Sequence, residues 1–308
     1  MKWTLPQASD LAPRVDAIFF TLLGVTGLVA VAIFALMAFF CWRYRRGSSA
    51  DRVAAPANNR PLEIAWTLAP LAIFLVFFGW AAVVYASFYR DDVKAMPVFV
   101  VGKQWMWRVQ HANGRREIDA LHLPAGRPVK LVLATEDVIH SFWLPAFRVK
   151  QDAVPGRYTT LVFTPTREGT YDMRCTEYCG TDHARMGGSV TVLSPEAFER
   201  WLGAGTPEGS MAVRGFEAYR RFGCSGCHEP GSSVHAPALR GLYGRTVHLA
   251  DGRAIAADEA YIRDSILLPK RDVVAGYAPV MPTFAGQVDE GTILDLIAWI
   301  RSTKEDTP

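Results

Sequence analysis

Polar positions divide this chain into contrasting stretches. Residues 17–42 contain no formal charge, and neither do residues 64–89. At helical rise each run extends about 39 Å, enough to cross a hydrocarbon core of about 30 Å with some tilt. Two such runs are read as membrane spans rather than as buried core helices. The first is too long for the apolar stretch of a signal peptide, and Asp10 and Asp16 dilute the basic start that such a peptide has. The loop between the runs, residues 43–63, carries Arg43, Arg45, Arg46, Arg52 and Arg60 against Asp51 and Glu63. Positive loops stay in the cytoplasm. Both chain ends, and everything after residue 90, are therefore expected on the outer side of the membrane.

Past Asp92 the pattern becomes alternating. Residues 98–101, 105–110, 128–135, 158–164 and 189–193 are short runs rich in β-branched and aromatic side chains. Asn113-Gly114, Pro124-Ala125-Gly126, Pro155-Gly156 and Glu168-Gly169 punctuate them as turns. Many short strands with such turns predict an all-β Greek-key sandwich or barrel. A short helix is expected over 195–202. The glycine-rich stretch 203–210 reads as a flexible linker. Helical periodicity returns near Ala212 and ends in an amphipathic helix over 292–301, which predicts a small all-α domain. The expected organisation is thus an N-terminal segment with a transmembrane hairpin (1–92), a β domain (93–202), a linker (203–210) and an α domain (211–308).

Composition narrows the class. Half of the 308 residues are hydrophobic and 20% are charged, which excludes a disordered or collagen-like chain. The net charge is +3 and no domain is strongly basic, so nucleic acid is not an expected partner. Five cysteines are too few for a disulfide scaffold of this size. Cys41 lies inside the first span and reads as a small apolar residue. The other four form two close pairs.

One pair belongs to Cys175-x3-Cys179-x3-His183-x2-Met186, with His140 upstream. Thiolates, imidazoles and a thioether form a soft ligand set that suits copper rather than calcium or magnesium. Zinc competes, but structural zinc rarely recruits methionine. A disulfide or a packing methionine would each explain only two of these residues. The second pair belongs to Cys224-Ser225-Gly226-Cys227-His228, the pattern of c-type haem attachment. A thioredoxin-like pair is the rival; no βαβ pattern surrounds the motif. Met281, in Pro279-Val280-Met281-Pro282, is the candidate sixth iron ligand, and methionine there raises the potential. His235 and His248 are the alternatives, expected in surface loops.

The stretches Asp137-Val138-Ile139-His140-Ser141-Phe142, Pro145-Ala146-Phe147, Asp152-Ala153-Val154-Pro155-Gly156-Arg157 and Cys175-Thr176-Glu177-Tyr178-Cys179-Gly180 closely resemble subunit II of haem-copper cytochrome c oxidases. Pro61-Leu62-Glu63-Ile64-Ala65-Trp66-Thr67 and Gln104-Trp105-Met106-Trp107 extend the resemblance to roughly residues 10–202. Met106 stands where that family commonly has an aromatic residue. The tail, with Ala236-Pro237-Ala238-Leu239 after the haem motif, resembles small class I cytochromes c, a fusion found in caa-type oxidases.

The resemblance implies a cupredoxin-like β domain holding a dinuclear CuA centre. Cys175 and Cys179 would bridge the two coppers, His140 and His183 would ligate one each, and Met186 and the carbonyl of Glu177 would complete the set. The Glu177 carboxylate would reach a magnesium or manganese ion at the border with subunit I. Trp105 would mark the surface where electrons enter over CuA, and Glu63 the entrance of a proton pathway. The implied function is that of a terminal oxidase subunit II in the bacterial inner membrane. It would take electrons at haem c, pass them to CuA and on to subunit I, where oxygen is reduced and protons are pumped. Expected partners are subunits I and III, an external cytochrome c or similar high-potential donor, and membrane lipid. Two rival readings are an electron-transfer subunit of another respiratory reductase, which would need a large catalytic domain, and a copper carrier, which would need no haem.

Overall fold

The two uncharged runs form α1 (Ala12–Arg43) and α2 (Arg60–Ala86) in a computed structural model that describes residues 6–51, 58–89, 94–204, 209–232 and 234–303. Each helix starts before the charge-free run and so takes in polar flanks. Pro61 sits in the first turn of α2, and the Asn59 side chain accepts from the Leu62 amide, which closes that helix start. Both helices are long and apolar enough to cross a membrane, with mean hydropathy 2.5 and 2.2. Large apolar side chains point outward along them, as at Val31, Phe34, Phe74 and Val76. That surface suits lipid rather than water. Residues 10–90 form one compact unit, and residues 1–9 with 91–308 form the other.

The second unit contains ten strands in two facing sheets. They are β1 (Met96–Lys103), β2 (Met106–His111), β3 (Arg116–Ile118), β4 (Ala120–Pro124), β5 (Val129–Thr135), β6 (His140–Leu144), β7 (Val149–Ala153), β8 (Thr159–Phe163), β9 (Gly169–Cys175) and β10 (Gly187–Leu193). The sheet orders are β3-β2-β1-β5-β8 and β4-β10-β9-β6-β7. The pairs β1·β5 and β10·β4 run parallel; the other pairs are antiparallel. Trp107, Phe142, Phe147, Phe163, Leu121, Leu131 and Met173 are fully buried and form the sandwich core. All five sequence-predicted strand runs are strands. β3, β4, β6, β7 and β9 were not expected.

A helix α3 (Pro195–Gly203) follows, capped by the Ser194 hydroxyl, which accepts from the Ala197 amide. Of the expected linker, residues 205–208 lie outside the described residues. The tail then forms α4 (Met211–Arg221), α5 (Ser225–His228), β11 (Thr246–His248), β12 (Ala254–Ala256), α6 (Glu259–Leu267) and α7 (Glu290–Ser302). The antiparallel ribbon β11·β12 departs from the all-α expectation. It turns at Asp251-Gly252, where Gly252 takes a left-handed φ of 87°, a hairpin signal that the helical reading passed over. At the crossing of α4 and α7, a Cβ on Gly215 would lie 1.9 Å from the Asp295 carbonyl oxygen, so only glycine fits.

The run Val98-Phe99-Val100-Val101 is apolar on both faces because both faces of β1 are covered. Val98 and Val100 are buried, and so are Phe99 and Val101, which join Val132, Ala134, Met211 and Leu294 in a cluster shared with α4 and α7. The tail therefore packs on the β3-β2-β1-β5-β8 sheet. Polar groups set its register. Asp295 on α7 accepts from Gln110 (2.7 Å) and from two nitrogens of Arg214 (2.9 Å each). Arg263 forks onto Glu290 (2.9 and 3.2 Å) and donates to the Gly156 carbonyl (2.9 Å). Buried pairs of this kind add little net stability but penalise any slip that separates them.

Candidate functional site

The copper-type residues converge where β6 begins, β9 ends and the loop into β10 folds back. Phe142 on β6 pairs with Cys175 on β9, and the Thr176 amide donates to the Ser141 carbonyl at 3.0 Å. This places His140, wholly buried, beside Cys175. The loop returns through a short 3-10 turn, His183–Arg185, and the Cys175 amide donates to the Met186 carbonyl at 3.0 Å. One ligand atom from each of His140, Cys175 and Cys179 lies within 4.8 Å of the others.

The remaining donors join the same point. Cys175 Sγ is 3.9 Å from Cys179 Sγ, 4.0 Å from His140 Nδ1 and 3.4 Å from the Glu177 carbonyl oxygen. Cys179 Sγ is 3.4 Å from His183 Nδ1 and 3.7 Å from Met186 Sδ. Both imidazoles thus turn Nδ1 toward the thiols. All the cysteines are free, so the Cys175/Cys179 pair is not a disulfide. Burial pushes the Cys175 thiol up, but hydrogen bonds with His140, backbone groups and Cys179 outweigh it and hold it down to about 6. Burial, followed by the charge on Cys175, pushes Cys179 up to about 12. The two thiols are thus pushed in opposite directions, as close neighbours that disfavour a second negative charge are. Two sulfurs, two imidazole nitrogens, a thioether and a carbonyl around one buried point fit soft metal ions, copper foremost.

Two neighbours of the site lack any sequence signal as ligands. Asp137 Oδ1 accepts from His140 Nε2 at 2.8 Å, and its Oδ2 accepts from the Gln104 amide at 2.7 Å. Burial raises the Asp137 carboxyl, and the hydrogen bonds from Gln104, His140 and Val138 outweigh it, holding it below the usual range. Half-buried Trp105 directs its indole N–H to the Cys179 carbonyl at 3.1 Å. Glu177 turns its carbonyl to Cys175 while its side chain is exposed. Glu63 stands in the first turn of α2, exposed, in the other compact unit.

In the tail, Cys224, Cys227, His228 and Met281 line one cavity of about 610 Å3, a size within the range of cofactor sites. The short helix α5 brings the two thiols and the imidazole onto one wall. His228 Nδ1 donates to the Pro237 carbonyl at 2.7 Å. Nε2 is then the lone-pair nitrogen, the arrangement that metal-ligating histidines use. The rest of the wall is largely apolar, with Leu239, Ile266, Phe284 and Trp299. His235 and His248 were expected in surface loops. His235 stacks on Tyr277, His248 lies on β11, and both also line the cavity, because the ribbon and the 272–278 segment fold over it.

The family "Cytochrome C oxidase subunit II, periplasmic domain" matches residues 115–193. Subunit 2 of cytochrome c oxidase from Thermostichus vulcanus is 32% identical over 249 residues, covering 63% of this chain and 76% of that protein. The corresponding subunit from Alkalihalophilus pseudofirmus is 28% identical over 299 residues and covers 91% of this chain and 84% of its own length. A match over 91% of the chain reaches well into the tail. The periplasmic domain of subunit II of cytochrome oxidase from Bradyrhizobium japonicum, a solved structure, is 26% identical and covers 37% of this chain and 96% of its own, with a TM-score of 0.36. The chain belongs to the cytochrome c oxidase subunit II family, with two apolar helices followed in sequence by a β-rich, cupredoxin-like domain.

Proposed function

We propose that the chain is subunit II of a caa-type terminal oxidase, built as a membrane hairpin (1–92), a copper domain (93–202), a linker (203–210) and a class I cytochrome c domain (211–308). It takes electrons at the C-terminal haem site, hands them to the copper site and delivers them to subunit I, where oxygen is reduced to water and protons are pumped. The observation that carries this reading is the convergence of His140, Cys175, the Glu177 carbonyl, Cys179, His183 and Met186 on one buried point. Copper held there, and a haem held in the tail, would each supply reversible one-electron storage.

The residues divide that work. Cys175 and Cys179 would hold the copper pair of CuA together with His140 and His183, and Met186 and the Glu177 carbonyl would complete the ligand set. Cys224 and Cys227 would tether the haem, and His228, through Nε2, and Met281 would bind its iron. Covalent tethering needs free thiols, and both are free. The reach of the Alkalihalophilus pseudofirmus match into the tail supports one fused chain. Trp105, bonded to the Cys179 carbonyl, is the aromatic path for electrons at the copper surface. The exposed Glu177 carboxylate is free to share a magnesium or manganese ion with subunit I. Glu63 feeds the proton pathway from the membrane boundary. Partners are subunits I and III, a high-potential donor such as a cytochrome c, and lipid. The arginine-rich loop supports an inner-membrane hairpin with both termini on the periplasmic side.

Metal and haem analysis of the purified oxidase, with its optical spectrum, tests this reading. Two coppers and one covalent haem c assignable to this chain are expected. A chain that holds haem but no copper pair, or copper but no covalent haem, would overturn the corresponding half.

A further inference from the structure

We propose that Asp137 and Gln104 are positioning residues of the copper centre. Together they form a hydrogen-bonded strap from the His140 ring to the Cys179 carbonyl and so hold two ligands, on separate loops, in one fixed relation. The inference rests on the copper reading above.

The strap can be followed atom by atom. His140 Nε2 donates to Asp137 Oδ1 at 2.8 Å, which leaves Nδ1 as the lone-pair nitrogen on the side of Cys175. The same oxygen accepts from the Val138 amide at 2.7 Å and the Thr135 hydroxyl at 3.3 Å, so the carboxylate cannot swing away. Asp137 Oδ2 accepts from the Gln104 amide at 2.7 Å. The Gln104 side chain then donates to the Cys179 carbonyl at 2.7 Å, and the Trp105 indole donates to the same oxygen at 3.1 Å. Gly180 makes this approach possible. A Cβ there would lie 3.0 Å from Gln104 Nε2 and 3.1 Å from the Trp105 ring, and its φ of 117° also favours glycine.

Two consequences follow from the chemistry. A carboxylate behind an imidazole fixes its orientation and makes the facing nitrogen a stronger donor. Two side-chain N–H groups, the Gln104 amide and the Trp105 indole, hold the Cys179 carbonyl, and the Gln104 backbone amide ties that grip to Asp137. The strap thus couples the aromatic surface residue to both sides of the ligand set.

The test uses the full chain loaded with copper, comparing wild type with Asp137→Ala, Asp137→Asn and Gln104→Leu. Copper affinity, the midpoint potential and pulsed EPR of the remote His140 nitrogen are the readouts. Asp137→Ala is expected to weaken copper binding by about 10–100-fold, the usual cost of removing a ligand's outer partner, and to change the remote-nitrogen signal. Asp137→Asn keeps the shape and an acceptor, so it should recover part of the affinity while still shifting the potential upward. Gln104→Leu should leave the His140 nitrogen signal near wild type and alter the cysteine hyperfine pattern. Thermal unfolding of the copper-free variants separates misfolding from lost positioning. A wild-type affinity, potential and EPR signature in folded Asp137→Ala would overturn the strap. Failure of the wild-type chain to take up a copper pair would instead overturn the copper reading.

Discussion

At the copper loop six donors surround a point, with neighbouring donor atoms 3.4–4.0 Å apart. In the tail the candidate groups instead stand on the wall of a space of about 610 Å3. An ion must be met by groups that already converge, so each copper donor is fixed by a strand end, a backbone bond or the His140–Asp137 contact. A macrocycle brings its own ring of donors and needs room, an apolar wall and anchored axial ligands. His228, pinned through Nδ1 to Pro237, meets the last need. The two candidate sites are therefore built from separate residues, and the sheet and tail that carry them pack together through the apolar cluster and the Asp295 contacts.

The sharpest way to break this comparison is to remove one centre at a time. Cys224→Ala with Cys227→Ala should abolish covalent haem on a denaturing gel yet leave two coppers per chain. Cys175→Ser should do the reverse. Loss of both centres from either variant would show that they form together.

A smaller effect is expected at the junction. Asp295 and Arg214 are both largely buried, at 6% and 13% side-chain exposure. Asp295→Ala takes the acceptor from Gln110 and leaves Arg214 only the Gly209 carbonyl, and removing one partner of a buried ion pair costs about 3–5 kcal/mol. Urea unfolding followed at the tail would show it. A loss below about 1 kcal/mol would mean that apolar contact alone holds α4 and α7 to the sheet. The same contacts explain why simple removal of the tail is a poor experiment: it would bare Phe99, Val101, Val132 and Ala134.

The smallest effect is acid-dependent. Glu117 accepts from His111 (2.9 Å) and contacts His122 Nδ1 (2.5 Å), beneath Trp201 of α3. Burial raises its pKa, but these bonds and the His122 amide outweigh burial and leave it below 4.5. A depressed folded value means that its contribution is full above about pH 4.5 and is lost as pH falls through the lower folded value. Glu117→Gln should flatten the acid limb of the stability curve below pH 4.5. An unchanged limb would assign that loss to other carboxylates.

The sequence made the clustering of the soft donors legible because five of them fall within and just upstream of a twelve-residue stretch, and the C-x-x-C-H pattern at Cys224–His228 marked the second candidate site. It did not show what holds those ligands. Asp137 sits three residues before His140, but its bond to the Gln104 amide depends on how β1 and β2 are joined. The strands β7 and β9 were missed because Val149-Lys150-Gln151-Asp152-Ala153 and Thr170-Tyr171-Asp172 are rich in polar residues. Arg214 and Asp295 look like ordinary charges on amphipathic helices; their pairing across 81 positions, and that of Gln110 across 185, belongs to tertiary structure. The apolar two-sidedness of residues 98–101 was the one visible hint that a second layer covers that sheet.

The central claim is that electrons reach the copper centre by way of the tail. Rapid mixing of the oxidised, fully loaded oxidase with its reduced donor, watched at the haem c and copper bands together, tests it most directly. The account predicts that haem c is reduced first and the copper band follows as haem c is reoxidised. Copper reduced first, with haem c lagging behind, would contradict it and place the point of electron arrival at Trp105.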